Sequence, residues 1–216
     1  MTALSFKEHP NSRIEITLAD GSPIATYLFD EKLPKPCFHP LCTAAGHRIT
    51  AFEPPDHTWH RGLWFAIKFI NKFNFWEERP PFGSQKTLDH PRCELITPQT
   101  LRISHRLEWT SPQTGPVIRE HRTLTVSGLS DGTRQIDWTS NLEAMQNLLL
   151  DRTPFTTWGG YGGLAFRASP EVHNASFLLP DAQTATNIAG QPNPWALMRG
   201  SLNTNAESKF SIGLIE

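Results

Sequence analysis

Nowhere among the 216 residues is there an apolar run long enough to cross a bilayer as a helix. The greasiest stretch, residues 63–70 (LWFAIKFI), is interrupted by Lys68 and falls far short of the roughly 20 residues that spanning requires. The opening MTALSFKEHP has no apolar signal-peptide core. Charge of one sign is missing too: 20 basic and 21 acidic residues are mixed along the chain, leaving a net charge of -1. Without a basic run or arm, phosphate-driven nucleic-acid binding is excluded as a reading. Cysteine is scarce, and Cys37, Cys42 and Cys93 are odd in number, which suits a reducing compartment. These absences point to a soluble, cytoplasmic protein with neither nucleic acid nor membrane as partner.

Helical periodicity is nearly absent, and a period of two takes its place. In LRISHRLEW (101–109), Ile103, His105, Leu107 and Trp109 share one face, opposite Arg102, Ser104, Arg106 and Glu108. Residues 134–142 alternate as cleanly, with Ile136, Trp138 and Leu142 on one side. Such alternation marks half-buried strands. Turn clusters separate the runs at Asp20-Gly21, at 111–115 (SPQTG) and at Ser130-Asp131-Gly132, the last reading as a hairpin connection. Residues 142–150 are the best short helix candidate and read equally well as strand. The 18 prolines and 14 glycines are dispersed, with no linker or repeat. The expectation is an all-β fold over residues 1–216, a large antiparallel β-sandwich in a single domain. The last residues, KFSIGLIE (209–216), read as the start of a strand, so the chain is expected to lack C-terminal strands.

Residues 54–65 (PPDHTWHRGLWF) carry the strongest chemical signal. In a regular strand His57 and His60 would face opposite ways, but a proline-stiffened loop can turn both imidazoles to one side. Histidine acts as acid or base near neutral pH and as a metal ligand. The competing reading is structural: Asp56 caps a turn, His57 orders the loop, and Arg61 pairs with a carboxylate. Upstream, the Cys37-x-His39-x-x-Cys42 spacing invites zinc, yet no second ligand pair follows at structural-zinc spacing. His39 stays a candidate partner of the loop.

In VIREHRTLTV (117–126), Glu120 and Arg122 share a face with Ile118, Leu124 and Val126. Charge on an apolar face must be paired or used. An ion pair is the favoured account, with Glu120 as acid or base the alternative. In WGGYGGLAFR (158–167), the glycines mark a bulge or a close backbone approach. Trp158 and Tyr161 could offer a stacking face to a sugar, and Arg167 could reach an oxyanion.

KPCFHPLCT, PPDHTWHRGLWF, NKFNFWEE and GGYGGLAFR together resemble the soluble bacterial family labelled "methane oxygenase PmoA". The label misleads as to chemistry, because the methane monooxygenase membrane subunit needs several apolar spans and a copper site that this sequence lacks. The resemblance implies a supersandwich similar to galactose-mutarotase-like proteins, whose concave face receives a sugar. It points to His39, His57, His60 and Arg61, and after them Arg167; His57 or His60 would be the general acid/base group, with Glu120, from its own place on an apolar face, a weaker second candidate. His39, Arg61, Arg167, Trp158 and Tyr161 would bind the substrate, a sugar or oxidised glycoside handled as by an epimerase or a lyase/hydratase. A divalent metal on His39, His57 or His60 is open, and no cofactor is required. A non-catalytic sugar-binding module is the alternative; an oxygenase comes third.

Overall fold

The computed structural model describes residues 2–129, 131–156, 159–202 and 209–215. Among them no helix occurs, and none is long and apolar enough to cross a membrane. In chain order the first strands are β1 (Leu4–His9), β2 (Arg13–Leu18), β3 (Pro23–Leu28), β4 (Cys37–Leu41) and β5 (Leu63–Ile67). A short hairpin follows, β6 (Phe69–Ile70) and β7 (Phe73–Asn74). Then come β8 (Ser84–Thr87), β9 (Arg92–Thr97), β10 (Thr100–Ser111), β11 (Gly115–Gly128) and β12 (Arg134–Ala144). The remainder comprises β13 (Leu150–Asp151), β14 (Gly162–Phe166), β15 (His173–Leu178), β16 (Thr184–Ala185), β17 (Trp195–Ser201) and β18 (Lys209–Ile215).

These strands form an all-β sandwich of antiparallel sheets, as the alternation leads one to expect. One sheet runs β1-β2-β3-β4-β5-β14; the other runs β12-β11-β10-β8, with β9 also on β10. Ile14, Ile16, Tyr27, Phe38 and Leu63 of the first sheet meet Leu101, Ile103, Leu124 and Val126 of the second in the main core. The alternating residues of 101–109 and 134–142 are the inward and outward faces of β10 and β12, the latter beginning to lose its cover at Leu142. Residues 142–150 are strand to Ala144 and resume pairing at Leu150. A smaller sheet, β16-β15-β17-β18, lends Phe210 and Ile212 to the same core.

Two local features shape the outer face of the first sheet. Between β3 and β4 the register shifts: Ala25 opposes Leu41, while Tyr27 opposes Phe38. Three steps of β4 thus match two of β3, a bulge that lets both Phe38 and Leu41 face the core and leaves His39 at its side. Beyond β5, Asn71 and Lys72 both have positive φ, 50° and 71°. That is the backbone of a two-residue turn matched to strand twist. It folds β7 back on β6 and brings Trp76 over the outward-facing Trp64 and Ala66.

Candidate functional site

Two consecutive turns build the loop before β5. The His57 amide donates to Pro54 O at 2.9 Å, the His60 amide to His57 O at 2.9 Å, and the Glu53 amide back to His60 O at 2.9 Å. A spacing of three across such tight turns eclipses side chains, so the imidazoles of His57 and His60 lie stacked, 4.6 Å apart and 15° from parallel. The loop therefore does bring both rings to one side. It closes into β5 through Gly62, at φ +72°, where a Cβ would lie 2.2 Å from Phe38 O. No other residue fits that approach.

From the histidine stack a row of rings runs across the sheet. His60 lies 5.0 Å from Trp64, Trp64 5.5 Å from Trp76, and Trp76 5.1 Å from Tyr161. At the other end Trp59 meets His57 edge-on at 5.3 Å. Trp64 is buried; Tyr161 is exposed at the rim of β14, over the Lys68 ammonium at 5.2 Å. Trp158 lies outside the described residues.

The exposed end of the row carries a carboxylate–imidazole pair. His57 Nδ1–H donates to Asp56 Oδ2 at 2.9 Å, the direction fixed because a carboxylate only accepts. That leaves Nε2 as the basic nitrogen, turned from the partner that orients it. Asp56 also takes the Arg167 guanidinium, and the hydrogen bonds from His57 and Arg167 hold its carboxyl down to about 2. His60 is different: burial, then the neighbouring positive groups, push it down to about 4, so it is neutral at physiological pH. Its Nδ1, like Trp64 Nε1, is buried without a hydrogen-bond partner among the described residues.

Beneath the row, ion pairs anchor the loop. Arg61 is 3% exposed. Its Nε donates to Glu78 Oε1 at 2.9 Å, its Nη2 to Glu78 Oε2, and its Nη1 to Glu53 Oε1 at 2.8 Å. Lys35 Nζ reaches the same Glu78 at 2.8 Å. Burial opposes both charges, but Arg61 and Lys35 outweigh it and keep Glu78 ionised below the usual range. The expectation that Arg61 grips substrate is corrected here: each guanidinium nitrogen already has a carboxylate acceptor, and the residue is the loop's anchor. His39 stands apart from the histidine stack, bonded to Thr50 Oγ1 at 2.9 Å and packed on Phe52 at 5.2 Å. Burial, and then Arg48, lower its pKa.

Glu120 is also placed away from the row. It has no exposed surface, and its oxygens accept from Arg122 Nε (2.7 Å) and Nη2 (3.0 Å), Trp109 Nε1 (2.7 Å) and Ser140 Oγ (2.6 Å). Of the two accounts its sequence position allowed, the ion pair is what forms; sealed in the core with every donor in place, Glu120 is no acid or base for a bound substrate. Cys37 is buried beside Trp64, its thiol pushed up to about 12 by burial. Among the described residues no group of three His, Cys, Asp or Glu side chains gathers to hold a metal ion. A cavity of about 720 Å³ opens elsewhere, between Leu41, Leu63, Ile136 and Phe210, and no residue of the ring row lines it.

Sequence reasoning missed Trp59, Trp64, Trp76, Lys68, Glu77, Glu78 and Arg79. The available signal was charge inside apolar runs: Lys68 within 63–70 and Glu77-Glu78 after Phe75-Trp76. Lys68 and Glu77 indeed pair.

Compared with known proteins, the chain matches the model of a family of unknown function (DUF6807) over residues 14–215. No curated protein and no solved structure matches it. The family match lends no support to the expected likeness to the "methane oxygenase PmoA" label or to mutarotases.

Proposed function

The chain belongs to the family of unknown function DUF6807, and since that membership names no chemistry, we propose from the site itself that this is a carbohydrate-active protein using general acid/base proton transfer. The observation that carries the reading is the Asp56–His57 pair, whose oriented imidazole stands at the open end of a row of aromatic rings. An aromatic face suits the apolar face of a sugar ring, and a carboxylate-oriented imidazole suits proton transfer at neutral pH. His57 is the base, and His60, neutral and stacked on it, is the second proton carrier. Tyr161 and Trp76 form the stacking platform, and Arg167 positions Asp56. The likeness to galactose-mutarotase-like supersandwiches belongs to this proposal, as does an epimerase or lyase/hydratase type of reaction in the cytoplasm.

The full chain is incubated in D2O with a panel of sugars, glycosides and their oxidised forms and followed by NMR. Deuterium enters a C–H position of the substrate, and His57→Ala lowers that rate by about a hundredfold or more. Unchanged exchange in both His57→Ala and His60→Ala refutes the assignment. A second reading, a non-catalytic sugar-binding module, draws on the exposure of the pair, whose side chains are 44% and 53% accessible. It requires binding without exchange.

A further inference from the structure

Around the ring row most charges among the described residues are paired. Glu53 and Glu78 meet Arg61 and Lys35, Glu77 meets Lys68, and Asp56 meets Arg167. Arg79 has no carboxylate partner among the described residues. Its guanidinium carbon lies 5.0 Å above the Trp59 ring, and Trp59 in turn packs against His57. The side chain is exposed, yet its backbone is tethered, because Glu78 before it is held by two cations and two prolines follow. A guanidinium resting on an aromatic face uses its plane and keeps its in-plane N–H fork for an oxyanion.

We infer that the site takes a sugar bearing a carboxylate, a uronate or an oxidised glycoside, and that Arg79 binds this carboxylate beside the Asp56–His57 pair. The inference rests on the sugar reading above and narrows it to an acidic substrate. The chemistry is consistent. A proton on the carbon next to a carboxylate leaves readily only if the developing negative charge is met. His57 Nε2 takes that proton, the bonding pair moves into the carboxylate, and Arg79 faces the added charge. The His57 imidazolium then returns a proton to the same carbon, after exchange with solvent, and the bond is restored. Arg61 is not placed for this, being 3% exposed with each guanidinium nitrogen already donating to Glu78 or Glu53.

The test titrates the full chain with methyl glucuronoside and methyl galacturonoside, and with the neutral methyl glucoside and galactoside, by NMR at about 0.15 M salt. At least one uronate binds about tenfold or more tighter than its neutral parent, as a charge-assisted contact supplies. Arg79→Gln abolishes that preference and leaves the neutral sugar's affinity unchanged, and Arg79→Lys restores part of it. Equal affinity for acid and neutral parent overturns the inference while leaving the sugar reading standing, and so does a preference that survives Arg79→Gln. Binding of neither class overturns both. Because Arg79 is exposed, the variant's thermal unfolding is expected to match the wild type, which separates lost binding from lost fold.

Discussion

His60 is squeezed between His57 and Trp64 and stays neutral down to about pH 4, whereas a free histidine takes its proton near 6.5. Between those values the unfolded chain binds a proton that the folded chain refuses, so acid favours unfolding. His105, pushed down to about 3 by burial and by Arg122, acts in the same direction. The stabilisation is complete above pH 6.5 and is lost as the pH falls towards 4. The melting temperature therefore declines as the pH falls below 6.5, and His60→Gln makes the decline shallower. Parallel slopes for wild type and variant, measured by circular dichroism, contradict this account. Asp56 contributes in a lower window: held down to about 2 from 3.8, its pairing is lost only as the pH falls through that range.

At the scale of the element, β11 presents two charged side chains to the core, Glu120 and Arg122, and surrounds them with donors and acceptors. Arg122 also reaches Gln85 Oε1 at 3.0 Å and lies 4.6 Å above the Trp138 ring. Removing one partner strands the other in an apolar interior. Arg122→Met is expected to cost about 3–5 kcal/mol in urea unfolding, and Glu120→Leu added to it to recover part of that loss. A single-variant cost below about 1 kcal/mol speaks against a tightly coupled pair. This demand for a partner was legible in the sequence, because Glu120 and Arg122 break an otherwise apolar face. So were β10 and β12, which alternate because one of their faces is covered and the other is not. β5 read as strand from its apolar run alone: Leu63 faces the main core while Trp64 lies under Trp76, so both faces are apolar and the period vanishes. The ring row was illegible for a related reason. It joins residues of the 57–60 turn, β5, residue 76 and residue 161, and only the Asn71-Lys72 turn and the pairing of β14 with β5 bring them together. The partner of Arg61 lies 17 residues on in a segment without periodicity, where spacing offers no clue.

Across the whole molecule the two main sheets differ from the small one. β10 and β11 pair along nearly their full lengths and bury Leu101, Ile103, Leu124 and Val126 completely. In β15 and β18 exposed residues dominate much of each strand. Native-state hydrogen exchange should reach the amides of β15–β18 first and those of β10 and β11 last, the latter at the free energy of global unfolding. The reverse order would mean that the small sheet, not the sandwich, sets the stability. Glu78 spans this architecture in its own way. One carboxylate answers a lysine ahead of β4 and an arginine ahead of β5, so its loss would strip buried Lys35 of its carboxylate and leave buried Arg61 with Glu53 alone. No stepwise mutational route passes cheaply through that state. Across the family, positions 35, 61 and 78 should accordingly be inherited as a set, changing together or not at all.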